Sequence, residues 1–426
     1  MTNGNATAAA TVRPTDLRSL RDAVLDTAGP IAIAGAGTAR GWAGRLGPVD
    51  TVLDTTGMTG VITHNPGDMT VSVRAGTPLR ALADELAPHG QHVSFDAARV
   101  AEGATVGGLF ATADAGPAAL VFGSLRDLVI GVTVVLADGT VARSGGHVIK
   151  NVAGYDLAKL LHGSYGTLAV LAEVVLRLHP VPKATTTLVM ECPLAEAAEL
   201  AARVLGGPYE PAALEWISDG QLLVRVEGTE GALPARVQRL REVLGSGAVE
   251  APDERHSRAE GSDEGAARPS ATGTDLAGRP PATPPRPSDE GALRAEGSDE
   301  SAARPAGAQV WERHAELVRG TPGHASLRIG VRPSRLPGLL EKLPAAAVTA
   351  GLGTGVATVA LEPAAVAEAH ALVHEAGGTS TLRARPDGSD APAWGPPPSA
   401  IGVLRALKAE LDPQGRFGPG RFDPWM

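Results

Sequence analysis

One cysteine, Cys192, stands in 426 residues. No disulfide can form within the chain, and an iron–sulfur cluster, which as a rule takes about four thiolates, would have to sit on a partner. Dense lysine or arginine runs are missing too, and with a formal net charge of −9 the chain offers no electrostatic footprint for nucleic acid or anionic lipid. No apolar run approaches the roughly 18 residues of a spanning helix; the best surrounds Leu128 to Ala137. Met1 to Thr11 has neither a basic segment nor an apolar stretch, so it reads as a frayed tail rather than a secretory signal. The expected location is the cytoplasm, with any contact with the inner face of the membrane made through partners.

What is present is enough for two domains, since single cores stop growing near about 250 to 300 residues. The 43% hydrophobic and 20% charged residues suit a soluble globular protein, whereas 34 prolines and 53 glycines suggest a stretch that does not pack. That stretch is Ala251 to Ala308, where Leu276 and Leu293 are the only large apolar side chains, too few to order it. It holds a near-copy of itself: RAEGSDEGAARP from Arg258 and RAEGSDESAARP from Arg294. A docking motif and a slippage duplication both account for the repeat, and the lack of apolar anchors favours duplication.

Residues 12–184 alternate short Val/Ile/Leu strands with helices, an α+β pattern. Residues 185–250 and 309–384 flank the insert and read as two halves of a smaller second domain, with 385–426 left as a C-terminal segment. Thr77 is expected to cap a helix that has Pro78 at its first position and ends at Gly90. Val132–Ala142 is expected to form a hairpin with a type I′ turn at Asp138-Gly139.

Three glycine-rich loops fall within this first domain. The strand at Ile31 runs into Gly35-Ala36-Gly37-Thr38-Ala39-Arg40-Gly41, where successive backbone N–H groups can turn toward a pyrophosphate. A dinucleotide fingerprint would need a glycine at Arg40 and a helix straight after, which Gly44, Gly47 and Pro48 do not allow. The second loop holds Thr105, Gly107 and Gly108, and the third runs from Gly163 through Gly166 to Thr167. Each alone could be a tight turn; three together point to a ligand.

The succession of GAGTARG, TVSVRAGTPLRALADEL, ATVGGLFATADAG, FGSLRDLVIGVTVVLADGTV and GSYGTLAVLAEVVLRLHP resembles the PCMH-type FAD-binding domain of the vanillyl-alcohol-oxidase family, over about 40% of the chain. Within it, GGHVIKNVAGYDL and the tail LKAELDPQGRFGPGRF are similar to the FAD-binding subunits of bacterial glycolate oxidases. The resemblance implies a two-subdomain FAD-binding domain, an α/β cap-like domain and a C-terminal segment returning to the first. It further implies FAD held by Gly35–Gly41, by Thr105, Gly107 and Gly108, by Asp127, and by Gly163, Gly166 and Thr167. The flavin would be non-covalent, since neither attachment loop offers the His or Cys that members use for the bond. Members tend to carry basic residues where Ala118 and Ala119 stand, and an Asn at Gly418. Relatives acting alone on 2-hydroxy acids carry a histidine-rich metal site, which this sequence lacks. The implied role is therefore one subunit of a complex, with a larger FAD-binding catalytic subunit and an iron–sulfur subunit as partners and glycolate or D-lactate as substrate. A self-sufficient oxidoreductase and an assembly subunit with structural flavin remain as alternatives.

Lys150 and Asn151 could contact the flavin or substrate or simply position their turn, and His147 could be an acid–base group or incidental. His370 and His374 have a metal-compatible spacing but no third ligand nearby in sequence, so no metal is expected. Trp216, Trp311 and Trp394 read as core or interface residues.

Overall fold

The computed structural model describes residues 9–148, 155–252 and 306–426. Along the chain these form β1 (Ala10–Val12), α1 (Leu17–Asp26), β2 (Ile31–Ala34), β3 (Thr51–Asp54), β4 (Val61–Asn65), β5 (Thr70–Arg74), α2 (Leu79–Leu86) and β6 (Gln91–His92). Next come α3 (Val106–Ala111), α4 (Ala119–Phe122), α5 (Leu125–Leu128), β7 (Val129–Val135), β8 (Val141–Gly145), α6 (Leu157–Leu161), β9 (Val170–Arg177) and β10 (His179–Pro180). The remainder is β11 (Ala184–Glu191), α7 (Leu194–Leu205), β12 (Ala213–Ile217), β13 (Gln221–Gly228), α8 (Leu233–Leu244), β14 (Val249–Pro252), α9 (Ala306–Arg319) and β15 (Ala325–Gly330). It closes with α10 (Leu336–Leu340), β16 (Ala345–Gly351), β17 (Val356–Leu361), α11 (Val366–Glu375), β18 (Thr379–Ala384) and α12 (Ile401–Leu411).

The first lobe holds two sheets. Parallel β1-β3-β2 packs on α1 through Leu20, Val24, Ile31 and Leu53, and antiparallel β4-β5-β9-β7-β8 packs on α2 and α3 through Val71, Val73, Leu82 and Phe110. Alternation explains the second sheet: Val132 and Val134 face that core while Val135 meets the other. The second lobe is one antiparallel sheet, ordered β14-β11-β13-β12-β16-β17-β15-β18, in which β12 pairs with β16. Strands from both sides of the insert thus share one sheet. Leu327, Ile329, Val359 and Leu382 bury its outer face under helices, whereas Arg225, Glu215, Thr358, Arg328 and Arg383 belong to the other face.

Three local expectations need correction. Thr77 caps no helix: its Oγ1 accepts from the Gly60 N–H at 2.9 Å, and Pro78 is the residue before α2. The helix gives way to a 3₁₀ turn that ends at left-handed Gly90. The β7–β8 turn is not type I′, because that type needs two positive φ values and only Gly139 has one, at +80°. Gly139 N–H bonds Leu136 O, and Leu136 N–H bonds Thr140 O, so the loop is a three-residue turn closed by a glycine bulge. The ends of the two expected unstructured stretches also belong to the fold. β1 takes in Ala10 and Thr11, β14 takes in Ala251 and Pro252, and α9 begins at Ala306. The remaining insert, 253–305, and tail, 1–8, lie outside the described residues.

The last segment returns to the first lobe. Ile31 N–H donates to Arg416 O at 2.7 Å and Gly418 N–H to Ile31 O at 2.9 Å, which buries Phe417 completely beside β2. Asp412, also buried, receives Phe417 N–H at 2.7 Å and Lys408 Nζ at 2.6 Å, while Lys408 reaches Thr167 O at 2.7 Å. Among the described residues no helix is long and apolar enough to cross a membrane.

Candidate functional site

A cavity of about 590 Å³ opens between the two sheets of the first lobe. Gly35, Ala36, Gly37, Thr38 and Ala39 line one side, Thr105, Gly107 and Gly108 another, and Gly166 a third, so the three glycine-rich loops converge on one space. Glycine is needed for packing at two of these places. A Cβ on Gly35 would collide with Thr105 Oγ1, and one on Gly107 would stand 2.9 Å from Ala75 O. Gly37 is required by conformation instead, with φ at +79°. Among the described residues the backbone N–H groups of Ala36, Gly37, Thr38 and Ala39 donate to no protein acceptor. Four successive free donors at a cavity wall make an anion cradle.

Charge around the cradle agrees. Arg40, Arg99 and Arg421 line the same cavity, with Arg99 Nη1 donating to Thr38 O at 2.9 Å and Arg421 Nη1 to the carbonyls of Arg40, Trp42 and Gly44. Burial lowers the pKa of both Arg99 and Arg421. These donors and cations fit the pyrophosphate of a dinucleotide, and the apolar walls at Leu109, Ala169 and Leu171 fit a flat ring system. Bound FAD would supply a hydride acceptor there.

Residues 8–145 match the family model of the FAD binding domain. This region is an FAD binding domain. The FAD domain is similar to named relatives over part of their length. The chain is 38% identical over 186 residues to glycolate oxidase subunit GlcE of Escherichia coli, covering 44% of this chain and 52% of that protein. It is 41% identical over 143 residues to a D-lactate dehydrogenase of Archaeoglobus fulgidus, covering 34% and 32%, and 37% identical over 131 residues to glycolate oxidase subunit GlcD of Bacillus subtilis, covering 30% and 28%. The chain thus spans about half or less of the length of these relatives. Among solved structures, an alkyldihydroxyacetonephosphate synthase superposes with a TM-score of 0.60 at 15% identity, over 96% of this chain and 75% of that one. That likeness is one of fold, and it takes in the second lobe as well as the first.

Other expected site residues stand elsewhere. Gly41, Gly163 and Thr167 are not part of the cavity wall; Thr167 Oγ1 donates to Ser164 O at 2.7 Å and supports the third loop from behind. Asp127 caps α5, accepting from Ser124 N–H at 2.9 Å. His147 lies off the cavity wall, its Nδ1 2.8 Å from Thr70 Oγ1 and 3.1 Å from Asn65 Nδ2. Lys150 and Asn151 lie outside the described residues. His370 is buried, with Ser380 Oγ at 2.6 Å and Pro392 O at 3.1 Å on its two ring nitrogens, and among the described residues no group of three or more ligands could hold a metal.

Sequence reasoning missed a buried group at the junction of the lobes. Asp114 lines the cavity and pairs with Arg383 of β18 at 2.8 Å, both side chains being only 2% exposed. Trp42 carries the Arg383 guanidinium 3.9 Å from its ring centroid and that of Arg99 at 4.3 Å. Tyr165, with φ at +52°, lines the cavity beside them, and burial raises the pKa of its hydroxyl. Asp114 and Tyr165 were visible inside ATADAG and GSYG; Arg383 carried no local signal.

Proposed function

We propose that this chain is the FAD-binding subunit of a glycolate oxidase-like complex, oxidising small 2-hydroxy acids such as glycolate or D-lactate and passing electrons to partner subunits. The observation that carries the reading is the convergence of the three glycine loops on one cavity, in a chain 38% identical over 186 residues to a glycolate oxidase subunit. The partner subunits belong to the same reading: with one buried cysteine the chain cannot ligate an iron–sulfur cluster alone, so any cluster of the complex would sit on a partner. A larger flavin subunit would remove hydride from the acid, which needs a base within reach of the hydroxyl and a cation for the carboxylate.

The test is anaerobic flavin reduction by glycolate and by D-lactate. The chain alone should turn over poorly, and co-expression with a larger flavin subunit and a cysteine-rich subunit should restore steady turnover. Reduction within seconds by the chain alone would favour instead a self-sufficient oxidoreductase, a reading supported by Arg383 of β18, which reaches Asp114 of the cavity wall.

A further inference from the structure

Ala43 has a left-handed backbone, with φ at +60°, and no exposure to solvent. An alanine in that region is strained, and the conformation persists only where the surroundings impose it. What imposes it belongs to the other lobe. β18 is the last strand of the second-lobe sheet, so its outer backbone groups have no partner strand there, and Leu382 O accepts from Ala43 N–H at 2.8 Å. Just beyond β18, Arg385 Nη2 donates to Ala43 O at 3.0 Å. Both backbone groups of the strained residue are thus bonded to the second lobe.

A short run of turns joins Ala43 to the cradle. Arg40 N–H bonds Gly37 O and Trp42 N–H bonds Ala39 O, each at 3.1 Å, so Ala43 follows directly on the turns that carry the free amides. Trp42 is fixed as well. Arg99, which also donates to Thr38 O, lies over its ring from the first lobe, and Arg383 lies over it from the second. Arg383 reaches it through an irregular pairing: Ser326 pairs with Ala384 and Leu327 with Leu382, which leaves Arg383 as the extra residue of a β-bulge. Returning Ala43 to a negative φ would rotate the peptide units on either side of it, and with them Trp42 and the turns behind it.

We propose that Arg385 is a positioning residue for the cofactor cradle: by keeping Ala43 left-handed it keeps the amides of Ala36 to Ala39 aimed into the cavity. The inference rests on the cavity being the FAD site. Arg385 is not part of the cavity wall, so it acts through Ala43 and not by touching the cofactor. Coupling of this kind is reciprocal. Docking of the second lobe favours FAD, and bound FAD favours the docked lobe.

The test titrates the deflavinated full-length chain with FAD, followed by flavin fluorescence. Arg385→Met is expected to weaken FAD at least about fivefold, because apparent affinity scales with the fraction of molecules in the competent form and left-handed strain is of that size. Adding Ala43→Gly to that variant should return the affinity nearly to the parent's, since glycine takes a positive φ without strain. A role confined to stability would lower the melting temperature of the flavin-free and flavin-loaded chains alike and would not respond to the glycine. Hydrogen exchange supplies the reciprocal measurement on the parent: FAD should slow exchange of the Ala43 amide. Parent-like affinity in Arg385→Met, a weakened affinity that Ala43→Gly does not restore, or exchange at Ala43 indifferent to FAD each overturns the positioning role. A parent chain that takes up no FAD is a separate result, which overturns the cofactor reading and the inference with it. Should Arg385→Met fail to fold, exchange in the parent decides the matter.

Discussion

Gly37 shows how one backbone angle can govern cofactor binding. A Cβ there would find ordinary space, the nearest atom being Arg40 Nη2 at 3.5 Å, so the cost of a side chain lies in φ at +79°. A β-branched residue in that region costs about 1–2 kcal/mol or more, and the loop escapes by turning its amides away from the cavity. Gly37→Val is expected to lose FAD while its melting temperature stays within a few degrees; full flavin occupancy would refute the cradle. His162 gives a second test at this scale. Burial, followed by Arg126 and Arg328, pushes its pKa from 6.5 to about 4. Between those values the unfolded chain takes up a proton that the folded one refuses, so stability falls as pH falls through the window and is regained above it. The contribution is up to about 1.4 kcal/mol per pH unit. Urea unfolding at pH 7 and pH 5 should show a smaller loss for His162→Gln than for the parent, and equal losses would place the ring in contact with solvent.

At the scale of elements, the junction around the insert is where sequence and structure divide the chain differently. Composition places the insert's edges at Ala251 and Ala308 because it sees only the lack of large apolar groups. Ala251 is nonetheless buried, and it pairs with Thr187 in the sheet. Since β14 and α9 pack against each other, a short linker can join them, and loop-closure entropy changes little with length. Replacing residues 253–305 by a short Gly/Ser linker should leave flavin content and melting temperature nearly unchanged. Replacing 251–308 should lower the melting temperature, because it removes a sheet pairing and the first turn of α9. That helix anchors the junction through Trp311 Nε1 to Thr187 Oγ1 at 2.8 Å, with Arg225 stacked 4.2 Å over the same indole and held to Asp96 at 3.1 Å. A linker variant of the shorter kind that precipitates would show that the insert itself holds the halves together. The β7–β8 turn is instructive in another way: Asp-Gly signalled a hairpin correctly, but whether two or three residues close it depends on the register that β7 and β8 adopt beside β9.

At the scale of the whole molecule, the C-terminal segment closes the first lobe. Arg416 Nη1 donates to Ala137 O at 2.6 Å, Nη2 reaches Val24 O at 2.9 Å and also Thr27 O, and Phe417 fills the space between α1 and β2. Removing a buried phenylalanine costs about 3–5 kcal/mol, and truncation would also strip the Arg421 contacts from the cradle's far end. Deletion of residues 412–426 is therefore expected to lower both the melting temperature and the flavin content; an intact, fully flavinated truncation would show the segment to be dispensable. The sequence by itself determined the positions of the glycine loops, because positive φ and close backbone approach demand a particular residue type wherever they occur. It also determined the alternation of β7 and β9 and the chain's inability to bind a cluster. Only the tertiary structure decided which of those glycines meet in one cavity, that Asp127 caps a helix, and that Arg383 reaches Asp114, 269 positions away in the chain. A strand bulge and an ion pair between lobes leave no mark on neighbouring residues, since both are fixed by how sheets dock rather than by local backbone preference.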